Sequence, residues 1–248
     1  MLASSRTPAP TAGDTGAYAP REGPPGIATR LNWIRRDLHW RGLQVLHALL
    51  RPGFQLGGRR FRYAFDHKGV IGERAIEIPL ARFAIRQLTR PLEVGCVLSH
   101  YGLPGHQVID LYERCGNCMN VDAAQYDFSN PEIGGIVSIS TLEHIGWDGP
   151  EGVAPSKSPT VLERIVTSGH PYFVSFPLGY NPHLTRFVET QIRAGPDCLF
   201  PNLAVFGQRW LDRWARVDVR APGAFERFAP LSRRPTKFVA FVWKGIDF

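Results

Sequence analysis

The stretch Gly135-Ile-Val-Ser-Ile-Ser-Thr-Leu-Glu-His-Ile-Gly-Trp147 constrains the fold more than any other part of the chain. Ile136, Val137 and Ile139 are β-branched, as a central strand prefers. Ser140, Thr141, Glu143 and His144 then arrive together, where such a strand must stop. Open α/β sheets bind ligands just beyond the carboxyl ends of their strands. A strand that turns from apolar to Ser-Thr-x-Glu-His at that point is expected to form one wall of a site.

The flanking sequence supplies the rest of such a sheet. Within Glu73–Leu88, Pro79 is acceptable as the first residue of a helix, and Leu80, Phe83, Ala84 and Leu88 then form one face. Leu92–Gly95, His106–Glu113 and Asn120–Asp122 read as three strands before the one at Gly135–Ser140. Thr160–Val166 has a helical pattern, Tyr172–Phe176 reads as a fifth strand, Phe206–Arg216 as a helix and Lys237–Trp243 as a long closing strand. Strands alternating with helices imply an α/β fold with a mainly parallel sheet.

The chain has 248 residues, enough to bury a substantial core. Residues 1–26 are rich in Pro, Ala, Gly, Ser and Thr, and are expected to form a disordered tail. They lack the apolar stretch of a signal peptide. No apolar run approaches the roughly 20 residues of a membrane span, so a cytoplasmic protein is the expectation. The net charge of +7 is concentrated in residues 27–62, where eight arginines face a single acid, Asp37. Leu31, Ile34, Leu38, Val45 and Leu49 recur there at helical spacing, and Pro52-Gly53 ends the pattern. Such an Arg-rich amphipathic helix suits peripheral contact with an anionic membrane, at the inner membrane surface. The same stripe also suits packing on the main domain, with the arginines solvated. Nucleic acid is not an expected partner, because one basic segment without a recognised motif is not its footprint. Cys115-Gly-Asn-Cys118 has C-x-x-C spacing but no second pair, so no metal site is expected.

Four strand ends carry distinctive groups in order. They are Glu93 and Gly95, then Glu113, then Asp122, then Ser140 to His144. A glycine at the first turn lets backbone approach a ligand, and an acid at the second strand end can accept from ribose hydroxyls. An Asp past the third strand can accept from an adenine amine. This ordered set resembles the class I S-adenosylmethionine-dependent methyltransferases. Leu92-Glu-Val-Gly95 is similar to their first motif, Asp110-Leu-Tyr-Glu113 to the second acidic strand end, Val121-Asp122-Ala123 to the adenine-side motif, and Ser138–Trp147 to the fourth-strand motif. Gly95–Tyr101 and Phe176–Asn181 resemble segments of a bacterial group associated with surface-polysaccharide and other glycan biosynthesis.

The resemblance implies a Rossmann-like methyltransferase fold over residues 63–248, after the tail and a basic helical extension at 27–62. It implies a mainly parallel central sheet with a terminal antiparallel strand and helices on both faces. S-adenosyl-L-methionine is the implied cofactor, held by Glu93, Gly95, Ser99, His100, Glu113, Asp122, Ser140 and Leu142. The implied reaction is O-methylation of a glycan or small-molecule acceptor. His144 is the candidate general base, since imidazole titrates near neutrality. Trp147, Asp148 and Tyr180 are candidate acceptor contacts.

The chain departs from the family where glycines would follow Gly95, at Val97 and Ser99. The alternative is therefore a catalytically inactive binding or scaffold protein of the same fold, acting through its basic segment. A hydrolase is disfavoured by the lack of a G-x-S-x-G elbow, and a dinucleotide oxidoreductase by the lack of G-x-G-x-x-G.

Overall fold

The computed structural model describes residues 42, 53–64, 72–114, 116–150, 152–208, 214–221 and 238–248. All belong to one unit spanning residues 40–248. The expected tail and most of the expected basic helix lie outside the described residues. The described end of the basic segment is not helical. Gly53–Leu56 (β1) and Arg59–Arg62 (β2) pair as an antiparallel hairpin. Gly57 and Gly58 form its two-residue turn, both at positive φ, which matches the twist of the flanking strands. Phe54, Leu56 and Phe61 enter the core, while Arg59, Arg60 and Arg62 stay outside.

An eight-stranded sheet organises the rest. In chain order its members are β3 (Pro91–Val94), β4 (Gln107–Ile109), β5 (Cys118–Met119), β6 (Gly135–Ile139), β7 (Tyr172–Pro177), β8 (Asn202–Gln208), β9 (Trp214–Val217) and β10 (Phe238–Lys244). Their spatial order is β5-β4-β3-β6-β7-β10-β8-β9. The first five run parallel. β10 is antiparallel to both its neighbours, and β9 is antiparallel to β8. The fold is thus α/β with a mainly parallel mixed sheet. The chain leaves β3 toward β4 and β5, then returns to lay β6 on the opposite side of β3. The gap between β3 and β6 is therefore a topological switch point, where α/β sheets place ligands.

Three α-helices accompany the sheet among the described residues: α1 (Arg74–Ile85), α2 (Lys157–Thr167) and α3 (Pro182–Arg193). Side chains alternate across a strand, and two apolar clusters follow from that alternation. One joins Val137, Ile139, Phe173 and Phe241 to Ile76, Leu80 and Ala84 of α1. The other joins Ile136, Val174, Ala240 and Val242 to Leu162 of α2 and Leu184 of α3. No helix among the described residues is long and apolar enough to cross a membrane.

Several elements differ from their sequence expectation. α1 starts at Arg74, so Pro79 lies inside the helix rather than at its first position. Proline cannot donate to the carbonyl four residues back. That carbonyl, Ala75 O, accepts instead from Ala64 N at 2.9 Å, so no buried acceptor is left without a partner. The second strand is only three residues long, and the third lies at Cys118–Met119, just before the expected Asn120–Asp122. Within the expected helix Phe206–Arg216 the described residues are strand: Phe206 belongs to β8, paired with Val239, and Trp214 opens β9. Partners across the sheet decide such aromatic and β-branched positions. α3 was not foreseen. Asn181 caps it by accepting from His183 N at 3.0 Å and Leu184 N at 3.2 Å, with Pro182 as its first residue.

Candidate functional site

A cleft of about 510 Å³ opens beyond the carboxyl ends of β3, β4, β5 and β6. Its walls include Gly95, Glu113, Asp122, Ser140, His144 and Asp148, all expected at a site, together with Asp110 and Lys157. A larger void of about 900 Å³ lies along β8 and β9 and contains none of these residues.

Gly95 shows why the first turn needs its residue type. Its φ is +89°, and a Cβ there would stand 2.1 Å from Thr141 Oγ1. The turn after β3 thus packs directly on the corner after β6. Glu93, expected to touch ligand, does something else. It is fully buried and does not line the cleft. Its Oε1 accepts from Val97 N at 2.9 Å and Leu98 N at 2.8 Å, and its Oε2 meets His106 Nε2 at 2.6 Å. Glu93 therefore braces the loop that forms the cleft wall. That loop carries Val97 on the cleft surface, and a side chain there narrows it. Ser99 Oγ lies 3.2 Å from Cys96 Sγ, His100 is exposed, and neither lines the cleft.

Asp110 is the acid that directly follows β4. Its Oδ2 accepts from Cys96 N at 3.1 Å, and its Oδ1 accepts from Tyr112 N and Glu113 N. The sequence drew attention to Glu113, which lies three residues further on, exposed at the rim. Asp110 is the better-placed acid, and the short β4 is what moves it to the strand end. Asp122 Oδ1 caps the following turn by accepting from Ala124 N at 2.9 Å, while its Oδ2 pairs with Lys157 Nζ at 2.7 Å. Partial burial acts to raise the Asp122 carboxyl, but the bonds from Lys157 and Ala124 outweigh it and hold the carboxyl below its usual range. Lys157 is the first residue of α2, so this ion pair ties that helix to the cleft.

The corner after β6 is held from beneath. Ser140 has a φ of +40°, unusual for a residue with a side chain. Its Oγ donates to Glu77 Oε1 at 2.6 Å, and Ser175 Oγ donates to the same oxygen at 2.8 Å. Glu77 Oε2 pairs with Arg74 Nη1 at 3.0 Å, and the same nitrogen donates to Ile139 O at 3.1 Å. A charged network reaching from α1, with the Glu77 carboxylate fully buried, thus over-determines a strained residue. Leu142 is fully buried in the core rather than at the cleft. Glu143 is also buried, and its Oε2 has no hydrogen-bond partner among the described residues. Burial pushes its carboxyl well above the ordinary value.

His144 stands at the cleft lip. Its Nδ1 lies 2.9 Å from Asp148 Oδ2 and 3.2 Å from Oδ1. The Tyr180 hydroxyl donates to Asp148 Oδ2 at 2.5 Å, and the Tyr180 and His144 rings meet edge to face at 4.9 Å. Partial burial acts to raise the Asp148 carboxyl, but the hydrogen bonds from Tyr180 and His144 hold it below the usual range. The bond to Asp148, with burial second, pushes the Tyr180 phenol up to about 12. Trp147 is half-buried against the His183 ring at 5.7 Å and does not line the cleft, nor does Tyr180. No group of three or more metal-ligating side chains occurs among the described residues. No family model, curated protein or solved structure matches the chain.

Proposed function

We propose that this chain is an S-adenosyl-L-methionine-dependent methyltransferase of Rossmann-like fold that methylates a hydroxyl of a glycan or small molecule. One observation carries the reading. Gly95, Asp110, Glu113, Asp122 and the Ser140–His144 corner, from four successive strand ends, share one cleft at the switch point of the sheet.

The residues present suit the cofactor. The cleft volume falls within the roughly 300–1,000 Å³ usual for small-molecule sites. Asp110 and Glu113 supply acceptors for ribose hydroxyls, and Leu111, Ala123 and Ile145 supply apolar surface for a base. Asp110, Glu113, Asp122 and Asp148 outnumber Lys157 among the charged lining groups, which favours a ligand bearing a sulfonium charge. Bound there, the cofactor supplies an activated methyl group. The protein's share is alignment of the acceptor and removal of its proton. With Nδ1–H donating to Asp148, His144 Nε2 keeps a lone pair free to accept that proton.

Calorimetric titration with S-adenosyl-L-methionine tests the reading. Saturable binding that weakens in Glu113→Ala and Asp110→Asn is expected. A folded chain that binds none contradicts it. That outcome would favour the fold acting as a binding protein without turnover, a second reading that Val97 on the cleft wall supports.

A further inference from the structure

The group at the cleft lip does more than place His144 near a ligand. We infer that Asp148 and Tyr180 are positioning residues for His144, which fix its tautomer, rather than acceptor contacts. The inference rests on the methyltransferase reading only in what His144 then does.

The geometry is specific. Asp148 lies one helical turn's spacing from His144, and both its oxygens lie within reach of Nδ1. An ionised carboxylate only accepts, so Nδ1 must carry the hydrogen. Tyr180 approaches from a separate segment, the turn between β7 and α3. Its hydroxyl has one acceptor here, Asp148 Oδ2, and its ring lies against the imidazole. Two constraints therefore converge on one half-exposed histidine, from two parts of the chain. That turn is itself anchored, because Asn181 Nδ2 donates to Glu143 O at 3.1 Å. Tyr180 is thereby held to the backbone that carries His144.

The groups facing His144 are consistent with this role. Asp148 and Tyr180 lie on the Nδ1 side, and Glu143 Oε1 lies 3.7 Å from Nε2. At that distance Glu143 makes no hydrogen bond to Nε2. Asp148 is already occupied by both His144 and Tyr180. Asp148→Asn replaces one acceptor oxygen by an amide N–H donor, so the side chain no longer selects the Nδ1–H form, and free imidazole prefers the Nε2–H form.

Nitrogen NMR of histidine-labelled full-length chain reads the tautomer directly, with His144→Gln to assign the signals. The wild type should show His144 as the Nδ1–H form. Asp148→Asn should convert it largely to Nε2–H, and Tyr180→Phe should leave a mixture of the two. The Tyr180 phenol, near 12 in the wild type, should fall toward its ordinary value near 10 in Asp148→Asn. All three side chains are substantially exposed, so the variants should fold. An Nε2–H wild type, or a tautomer unmoved by Asp148→Asn, overturns the inference. A tautomer unmoved by Tyr180→Phe removes Tyr180 from it. Calorimetry with S-adenosyl-L-methionine on the same samples separates the two ideas. Intact binding with an unmoved tautomer defeats the positioning role alone, and absent binding with the expected tautomers defeats the methyltransferase reading alone.

Discussion

Gly95 concentrates two requirements in one residue: a positive φ and a missing Cβ. Gly95→Ala must carry both backbone strain and a clash with Thr141, and should lose about 2–4 kcal/mol of stability in urea unfolding. A loss below about 1 kcal/mol would mean that the turn after β3 yields easily. Glu143 behaves differently, because its environment is dry rather than tight. Burial raises its carboxyl, so the folded chain keeps a proton that the unfolded chain releases. Its contribution to stability is full below the ordinary carboxylate value and is lost as pH rises through the raised one. Glu143→Gln keeps the shape and removes the titration. The variant's advantage in denaturant should grow from about pH 5 upward. An advantage that shrinks with pH would mean the carboxyl is ionised in the fold. Glu77 is a third case. It joins Arg74, Ser140 and Ser175, and Glu77→Ala leaves a partly buried guanidinium without its carboxylate. A loss of about 3–5 kcal/mol is expected by chemical denaturation.

Elements were legible in the sequence wherever their own residues settled them. β6 and β7 are buried throughout and read as apolar runs, and α2 reads from Val161, Leu162 and Ile165. Elements that depend on distant partners were not legible. Phe206–Gln208, the end of β8, reads as the start of a helix in isolation, and pairing with β10 and β9 makes it strand. Pro79 looks like a helix start because Ala64, the donor that replaces its missing N–H, comes from another segment. The site divides in the same way. Gly95, Asp122 and the Ser140–His144 corner were visible as strand ends. The inward turn of Glu93 toward Val97, Leu98 and His106 was not, because two of those contacts are to backbone amides. Asp110 was obscured because β4 is shorter than its apolar run. The α3 cap did leave a signal, Asn181-Pro182, which first reads as a strand stop. Asn181→Ala should cost about 1 kcal/mol in thermal or urea unfolding, and no cost would show that the cap is dispensable.

At the scale of the molecule, five parallel strands bring chemistry from well-separated segments to one edge, and three antiparallel strands extend the sheet away from it. The void along β8 and β9, lined by Arg216, Asp218 and Arg220, is larger than the cleft at the switch point, yet Asp110, Glu113, Asp122, Asp148, Lys157 and His144 all lie at the smaller one. Volume alone would choose the first place; the proposed reading rests on the polar groups that converge at the second. Amide hydrogen exchange of the full-length chain, with and without S-adenosyl-L-homocysteine, tests that choice most directly. Protection should rise together at 94–97, 110–113, 121–123 and 140–148. Protection confined to the β8–β9 side, or none at saturating ligand, would contradict the account.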